Sequence, residues 1–101
     1  MKTFHILQLA GFGDTLSAIT RLPALREKYP DYKIKFWLGG FGKSPIFSKE
    51  QLEREGCEAA LIKNLTFHNQ LPQMRDFITS KMVKDGDKFE AWSFCEEIFD
   101  N

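Results

Sequence analysis

The chain has 101 residues, of which 43% are hydrophobic and 28% charged, and its 14 Lys and Arg residues balance its 14 Asp and Glu residues. This length limits the chain to one domain, which we predict to span residues 1–101. Zero net charge argues against a sequence-independent nucleic-acid binder, because such a protein needs uncompensated cations for the phosphates. A small anionic ligand held at one local site is not excluded.

Neither the cysteines nor the amino terminus carries a metal-binding or targeting motif. Cys57 and Cys95 lack CxxC spacing and a nearby His pair, which favours packed, reduced thiols over metal or redox sites. The opening residues MKTFHILQLAG are too polar for a signal peptide, and no apolar run approaches the length of a membrane span. The sequence therefore predicts a cytoplasmic protein with no metal site and no transmembrane segment.

A strand, a glycine turn and a helix are predicted at the start of the chain. Phe4–Leu9 is nearly all apolar, as in a strand covered on both faces of a parallel sheet, where His5 is more typical of a packed residue than of a ligand. Ala10–Gly13 forms the turn, and apolar residues then recur at helical spacing from about Thr15 to Lys28, with Pro23 either kinking this helix or starting a second. In α/β sheets, free N–H groups and the helix dipole point into the crevice at such a junction. Any small-molecule site is expected here.

A second strand and glycine turn are predicted at Tyr32–Leu38 and Gly39–Gly42. Because the carboxyl ends of parallel neighbours meet at one edge, this turn should lie beside the first. Its three glycines suit either close approach of a ligand or a mobile loop.

The next helix is marked by a capping box, with Ser48 as its N-cap and Gln51 reaching back, and by Gly56 as its stop. Cys57–Ile62 is predicted to be a short third strand.

Two more helices are predicted, over about residues 71–82 and from Lys88 to Asn101, the latter from the helical spacing of its aromatic residues. The predicted fold class is α/β: a three-stranded, Rossmann-like βαβαβα unit with a C-terminal helix. Such a unit is half of a doubly wound parallel sheet and leaves one sheet edge without its next strand.

The first turn lacks a complete cofactor motif. Gly11 and Gly13 supply two glycines of GxGxxG, but Leu16 occupies the third position, and no acidic residue ends the second strand to bind a ribose. Gly42-Lys43-Ser44 lacks the upstream glycine of a P-loop, because Trp37 stands there. An NAD enzyme is therefore disfavoured, and no cofactor is predicted.

Asp14 is the candidate catalytic residue. A carboxylate at a helix start is kept ionised by the dipole and can accept a proton from a substrate hydroxyl as that oxygen attacks. The same residue in the same place also suits a plain N-cap. The pattern alone leaves both interpretations open.

Several segments at fixed spacing resemble the amino terminus of glycosyltransferase family 9, the heptosyltransferase-like enzymes. The resemblance covers about residues 4–62 and rests on Ile6–Leu9, Gly13–Leu16, Pro23–Arg26, Tyr29-Pro30 and the strand at Ile34–Leu38. It implies a GT-B arrangement of two Rossmann-like domains, the first holding a saccharide acceptor and the second most of a nucleotide-sugar donor. Asp14 would then be the base that deprotonates the acceptor hydroxyl in an inverting transfer.

The resemblance also implies a set of substrate-binding residues and an incomplete enzyme. The predicted substrate-binding residues are Gly11, Gly13 and Thr15 at the first turn and Gly39, Gly40 and Gly42 at the second. The sequence stops where the second domain would begin, so the chain is expected to be an acceptor half, a fragment or a truncated product. By itself it is expected to transfer no sugar.

Two other functions fit the same sequence. The first is a non-catalytic α/β module that holds a small anion or nucleotide at the two glycine turns, with Asp14 as a cap. The second is a structural role in which the aromatic carboxyl-terminal helix docks onto a protein partner, and exposed Trp92 and Phe99 would support it.

Overall fold

The computed structural model describes residues 2–8, 12–39, 43–62 and 84–92, which form an α/β fold with a four-stranded, all-parallel sheet and two helices. This architecture confirms the predicted fold class and is compatible with a Rossmann-like half-fold. The elements in chain order are β1 (Lys2–Gln8), α1 (Phe12–Lys28), β2 (Tyr32–Leu38), α2 (Ser44–Arg54), β3 (Glu58–Leu61) and β4 (Lys88–Ala91).

The core lies between one face of the sheet and the two helices. Phe4 and Ile6 of β1 are fully buried, as is Phe36 of β2, and Leu22 of α1 and Leu52 of α2 belong to the same cluster. Side chains alternate across a strand, so this face of β1 also carries Gln8. On the alternate face of the two central strands, His5, Leu7 and Trp37 are buried as well. Burial on both faces explains the nearly continuous apolar run of β1.

Both helices begin earlier than the sequence predicts. α1 starts at Phe12 rather than near Thr15, and it continues through Pro23 as one helix. α2 starts at Ser44 with Pro45 in its first turn, where a missing backbone N–H costs nothing. The predicted capping box is therefore wrong: Ser48 lies inside α2, fully buried, and the N-cap is Lys43, which makes no side-chain cap bond.

The predicted stop at Gly56 is confirmed. Gly56 has a φ of +84°, its N–H donates to the carbonyl of Glu53, and the N–H of Cys57 donates to the carbonyl of Leu52. These two bonds form a Schellman motif, which needs a residue that tolerates the left-handed region. β3 follows as predicted, and Cys57 is a free, buried thiol whose pKa is raised by burial.

The prediction of three strands and a helix from Lys88 is wrong, because Lys88–Ala91 forms β4. β4 pairs in parallel with β1, placing Phe89 opposite His5 and Ala91 opposite Leu7. The segment has two competing periodicities: aromatic residues three apart favour a helix, whereas Phe89 and Ala91 alternate with Lys88 and Glu90 as in a strand. The open edge of β1 decides for the strand, because pairing there satisfies backbone groups of both segments.

Other predicted features lie outside the described residues. These are the helix over residues 71–82, the end of the chain beyond Trp92 with Cys95 and Phe99, and the glycines Gly11, Gly40 and Gly42. Within the described ranges, neither helix is long and apolar enough to cross a membrane.

Candidate functional site at the carboxyl edge of the sheet

The carboxyl ends of all four strands lie at one edge of the sheet. Backbone hydrogen bonds continue the ladders just past the strand ends: Gly39 N–H donates to the Gln8 carbonyl (3.2 Å), Ile62 N–H to Leu38 (2.8 Å), and Trp92 N–H to Leu7 (2.8 Å). The first turn of α1 follows β1 at this edge. The start of α1 and Gly39, the first residue of the predicted second turn, therefore lie at the same edge.

The strand order adds a feature that the sequence did not reveal. The order is β3-β2-β1-β4, so the chain builds outward from β1 to β3 and then crosses to the other side of β1. Open α/β sheets bind ligands at the carboxyl edge where the strand order reverses, because the adjacent connections leave in opposite directions. In this chain that switch point lies between β1 and β4.

Asp14 lies in the first turn of α1, two residues after the helix begins, and its side chain is partly buried. It is not the N-cap, and no hydrogen bond or ion pair with a described residue engages its carboxylate. The carboxylate still gains from the helix dipole, which stabilises negative charge in the first turn. Asp14 is thus a proton or hydrogen-bond acceptor that no described residue engages, at the carboxyl edge of the sheet.

Gly13 and Gly39 are the two predicted glycines within the described residues. Gly13 is helical and exposed, and a Cβ added there would meet nothing within 4 Å. The fold therefore does not require a glycine at residue 13, although the missing side chain leaves the first turn open to an approaching molecule. Gly39 is buried and extends the ladder with β1.

Three buried polar side chains, linked by hydrogen bonds, join β1 to both helices. Gln8 Nε2 donates to Thr15 Oγ1 at 3.0 Å, and Thr15 Oγ1 donates to Ser48 Oγ at 2.7 Å. Each of the three residues is at most 1% exposed. Thr15, predicted to bind substrate, has its hydroxyl engaged by both Gln8 and Ser48, and its role in binding stays a prediction. Gln8 and Ser48 were missed, although a glutamine in an otherwise apolar strand was a visible signal.

The carboxamide oxygen of Gln8 is buried and has no hydrogen-bond partner among the residues that the structure describes. Buried polar atoms almost always have a partner, and an unpaired one in a native fold needs an explanation. This atom belongs to the last residue of β1, next to the first turn of α1.

Trp92 lies on the β4 side of the same edge and is 5% exposed. Its ring packs edge-on against Phe36, and the guanidinium of Arg21 lies 3.9 Å from its centroid. Its Nε1–H donates to Glu90 Oε1 at 3.2 Å. Trp92 thus belongs to the core, and its burial does not supply the support that an exposed Trp92 would have given to the docking hypothesis.

A second buried polar cluster lies on the alternate face of β1. Trp37 Nε1–H donates to His5 Nδ1 at 2.9 Å, so Nε2 carries the His5 proton and donates to Asp87 Oδ2 at 3.0 Å. His5 is therefore a packed residue with both ring nitrogens engaged, as expected. No local pattern in the sequence points to its partner Asp87, which is 82 residues away.

Asp87 accepts two further hydrogen bonds, from the N–H groups of Thr3 (2.8 Å) and Lys84 (3.0 Å). Burial by itself would raise the pKa of Asp87, but these N–H donors and His5 lower it to about 2. The carboxylate joins the start of β1 to the turn before β4.

An open pocket of about 380 Å³ lies at the opposite edge, lined by residues that include Arg26, Tyr29, Tyr32 and Lys33. Its cations already have partners: Arg26 donates to the Glu55 carbonyl, and Lys33 Nζ lies 2.7 Å from Glu58 Oε1. None of the predicted site residues lines this pocket, so its size does not make it the functional site.

No group of three or more His, Cys, Asp or Glu side chains that could hold a metal ion occurs among the described residues. Comparisons with known proteins found no family model, no curated protein and no solved structure that matches the chain. The resemblance to glycosyltransferase family 9 stays a prediction, and the functional argument depends on the geometry of the carboxyl edge.

Proposed function

We propose that the carboxyl edge of the sheet binds a small hydroxyl-bearing ligand at the first turn of α1. We further propose that this ligand is the saccharide acceptor of an inverting, nucleotide-sugar-dependent glycosyltransferase, with Asp14 as its base. The observation that carries the proposal is the position of Asp14 in the first turn after β1, where its carboxylate has no partner among the described residues.

The chemistry of this edge supports a ligand that donates hydrogen bonds. Asp14 contributes carboxylate oxygens and Gln8 contributes an unpaired carboxamide oxygen, both of which are acceptors. Gly13, which has open space where a side chain would be, lets a ligand approach the helix start closely.

The proposed reaction needs one proton acceptor from this chain. The Asp14 carboxylate takes the proton of an acceptor hydroxyl while that oxygen forms a bond to the anomeric carbon of the donor. The bond from that carbon to the nucleoside diphosphate breaks, the diphosphate leaves with the electron pair, and the anomeric configuration inverts. In the GT-B arrangement that the resemblance implies, the donor is held by a second domain.

A non-catalytic module for a small anion is the second candidate, and the start of α1 favours it. The first N–H groups of a helix and its dipole attract anions. However, the carboxylate of Asp14 already lies in that turn, and a second anion beside it would be repelled. We therefore favour a neutral, hydroxyl-bearing ligand.

The test is the Asp14→Asn substitution in the complete protein purified from its native cell, together with any second domain that it carries there. Release of nucleoside diphosphate from a set of nucleotide-sugars is measured with cell-surface saccharides as acceptors. We expect turnover to fall about 10²- to 10⁴-fold, because the amide cannot take the proton. Saccharide binding should survive.

The matched control is Asp31→Asn, since Asp31 is an exposed aspartate in the turn before β2. This variant should keep its turnover. Near-normal turnover of Asp14→Asn would remove Asp14 from the mechanism. A loss of about 1 kcal/mol in stability without loss of turnover would favour the non-catalytic module, in which Asp14 only stabilises the helix start.

A further inference from the structure

We infer that Gln8 is a ligand-contacting residue whose carboxamide oxygen accepts a hydrogen bond from a hydroxyl group of the bound ligand. The inference rests on the proposed function, because it names a second contact of the same hydroxyl-bearing ligand. Gln8 would select for a hydroxyl at one position of the ligand, whereas Asp14 acts on the reacting hydroxyl.

The orientation of the carboxamide is assigned from the hydrogen bonds of its neighbours. A threonine hydroxyl has one proton, and Thr15 donates that proton to Ser48 Oγ. Thr15 Oγ1 can then only accept from Gln8, so the NH₂ group faces Thr15 and the oxygen faces away from it. Because Thr15 and Ser48 are also buried, the two helices hold the carboxamide in place.

Gln8 lies at the edge where a ligand is expected. Gln8 ends β1 at the carboxyl edge, beside the strand-order switch point, and its side chain contacts the first turn of α1. In a fold that otherwise pairs its buried side-chain polar atoms among the described residues, this oxygen is the exception. An unpaired acceptor at a ligand-binding edge gains a partner when a donor binds.

The same atom restricts the chemistry of that partner. A carboxamide oxygen accepts hydrogen bonds and does not donate them, so a phosphate or carboxylate oxygen without a proton cannot pair with it. Saccharide hydroxyl groups can donate, and they carry no charge to be buried at a residue that is 1% exposed. The contact therefore favours a neutral sugar ring over an anion.

The experiment is a two-dimensional ¹H–¹⁵N NMR titration of the 101-residue chain. The probes are methyl α-D-mannopyranoside and methyl β-D-glucopyranoside, with inorganic phosphate as the anionic probe. We expect a glycoside to shift the backbone signals of Gly13 and Asp14 and the side-chain NH₂ signals of Gln8. The NH₂ signals of Gln51, a partly buried glutamine in α2, should stay in place.

Variants then measure the contribution of the contact. Gln8→Met keeps the length of the side chain and removes its polar atoms, and we expect about tenfold weaker glycoside binding, as for one lost hydrogen bond. Gln51→Met is the matched control and should bind like the original chain. Thr15→Val should also weaken binding, because the carboxamide loses its anchor.

The outcomes separate this inference from the proposed function. Glycoside shifts at Gly13 and Asp14 without a shift at the Gln8 NH₂ group, or equal affinity of Gln8→Met, would overturn the role of Gln8 and leave the proposed function standing. If only phosphate causes shifts, or if none of the three probes causes any, the proposed function is overturned and this inference with it. Because the NH₂ signals are read in the unmodified chain, the test stands even if Gln8→Met does not fold.

Discussion

The central strand β1 carries two buried polar side chains on opposite faces, and they differ in how completely they are paired. His5 has a partner at each ring nitrogen, and its partner Asp87 accepts from two backbone N–H groups as well. Gln8 has a partner for its NH₂ group, but its oxygen has none within the described ranges of the chain. Both side chains are nearly inaccessible to solvent, at 4% and 1% exposure.

This difference separates structural polar groups from candidate functional ones. A fully paired buried cluster stabilises the fold and specifies which segments meet, in this case β1, β2 and the turn before β4. A partly paired cluster leaves the fold with an unmet hydrogen bond, which a ligand can supply. The His5 cluster, formed by His5, Trp37 and Asp87, contains the His–Asp pair of a catalytic dyad. Because both ring nitrogens of His5 already have partners, we interpret the cluster as structural.

The largest expected effect is that of Asp87→Ala on stability. The substitution leaves the His5 Nε2–H and the N–H groups of Thr3 and Lys84 without their acceptor. We expect a loss of about 3 kcal/mol in the free energy of unfolding, measured by urea denaturation. Asp85→Ala, at an exposed neighbour in the same turn, is the control and should change little. Equal midpoints for the two variants would show that the His5 cluster does not stabilise the fold.

Acid should weaken the His5 cluster in a defined pH range. The pKa of Asp87 is about 2 in the folded chain, below its ordinary value of 3.8, so the unfolded chain binds this proton more readily. The stabilisation is complete above the ordinary pKa and is lost as the pH falls from about 5 towards 2. Urea midpoints of the original chain and of Asp87→Asn, measured across this range, should converge as the pH falls. A constant difference would contradict the lowered pKa.

The smallest expected effect is that of Gly13→Ala on stability, at the start of α1 beside the partly paired Gln8. Because a Cβ at residue 13 meets open space and the residue is helical, alanine should raise the free energy of unfolding by about 0.5–1 kcal/mol. If a ligand approaches this turn, the added methyl group should at the same time weaken glycoside binding in the NMR titration. Greater stability with unchanged binding would mean that the ligand does not approach the first turn at Gly13.

The candidate site was predictable in its location and not in its contacts. The glycine turn after an apolar strand placed it at the start of α1, and Asp14 was found from its position alone. The pairing of Gln8 with Thr15 and Ser48 depends on how α2 packs against α1, which no local pattern encodes. The capping-box motif even assigned Ser48 to another role, because local signals cannot show that a hydroxyl is used by a distant partner.

Features that depend on near neighbours can be predicted from the sequence. Apolar runs and helical spacing indicate β1, α1 and β2, and the glycine at residue 56 indicates the end of α2, since periodicity and backbone freedom act over a few residues. Three other features depend on tertiary contacts: residues 88–91 form a strand, β4 lies beside β1, and His5 meets Asp87. In each case two conformations or partners were locally acceptable, and the choice came from backbone and side-chain groups supplied by segments far away in the chain.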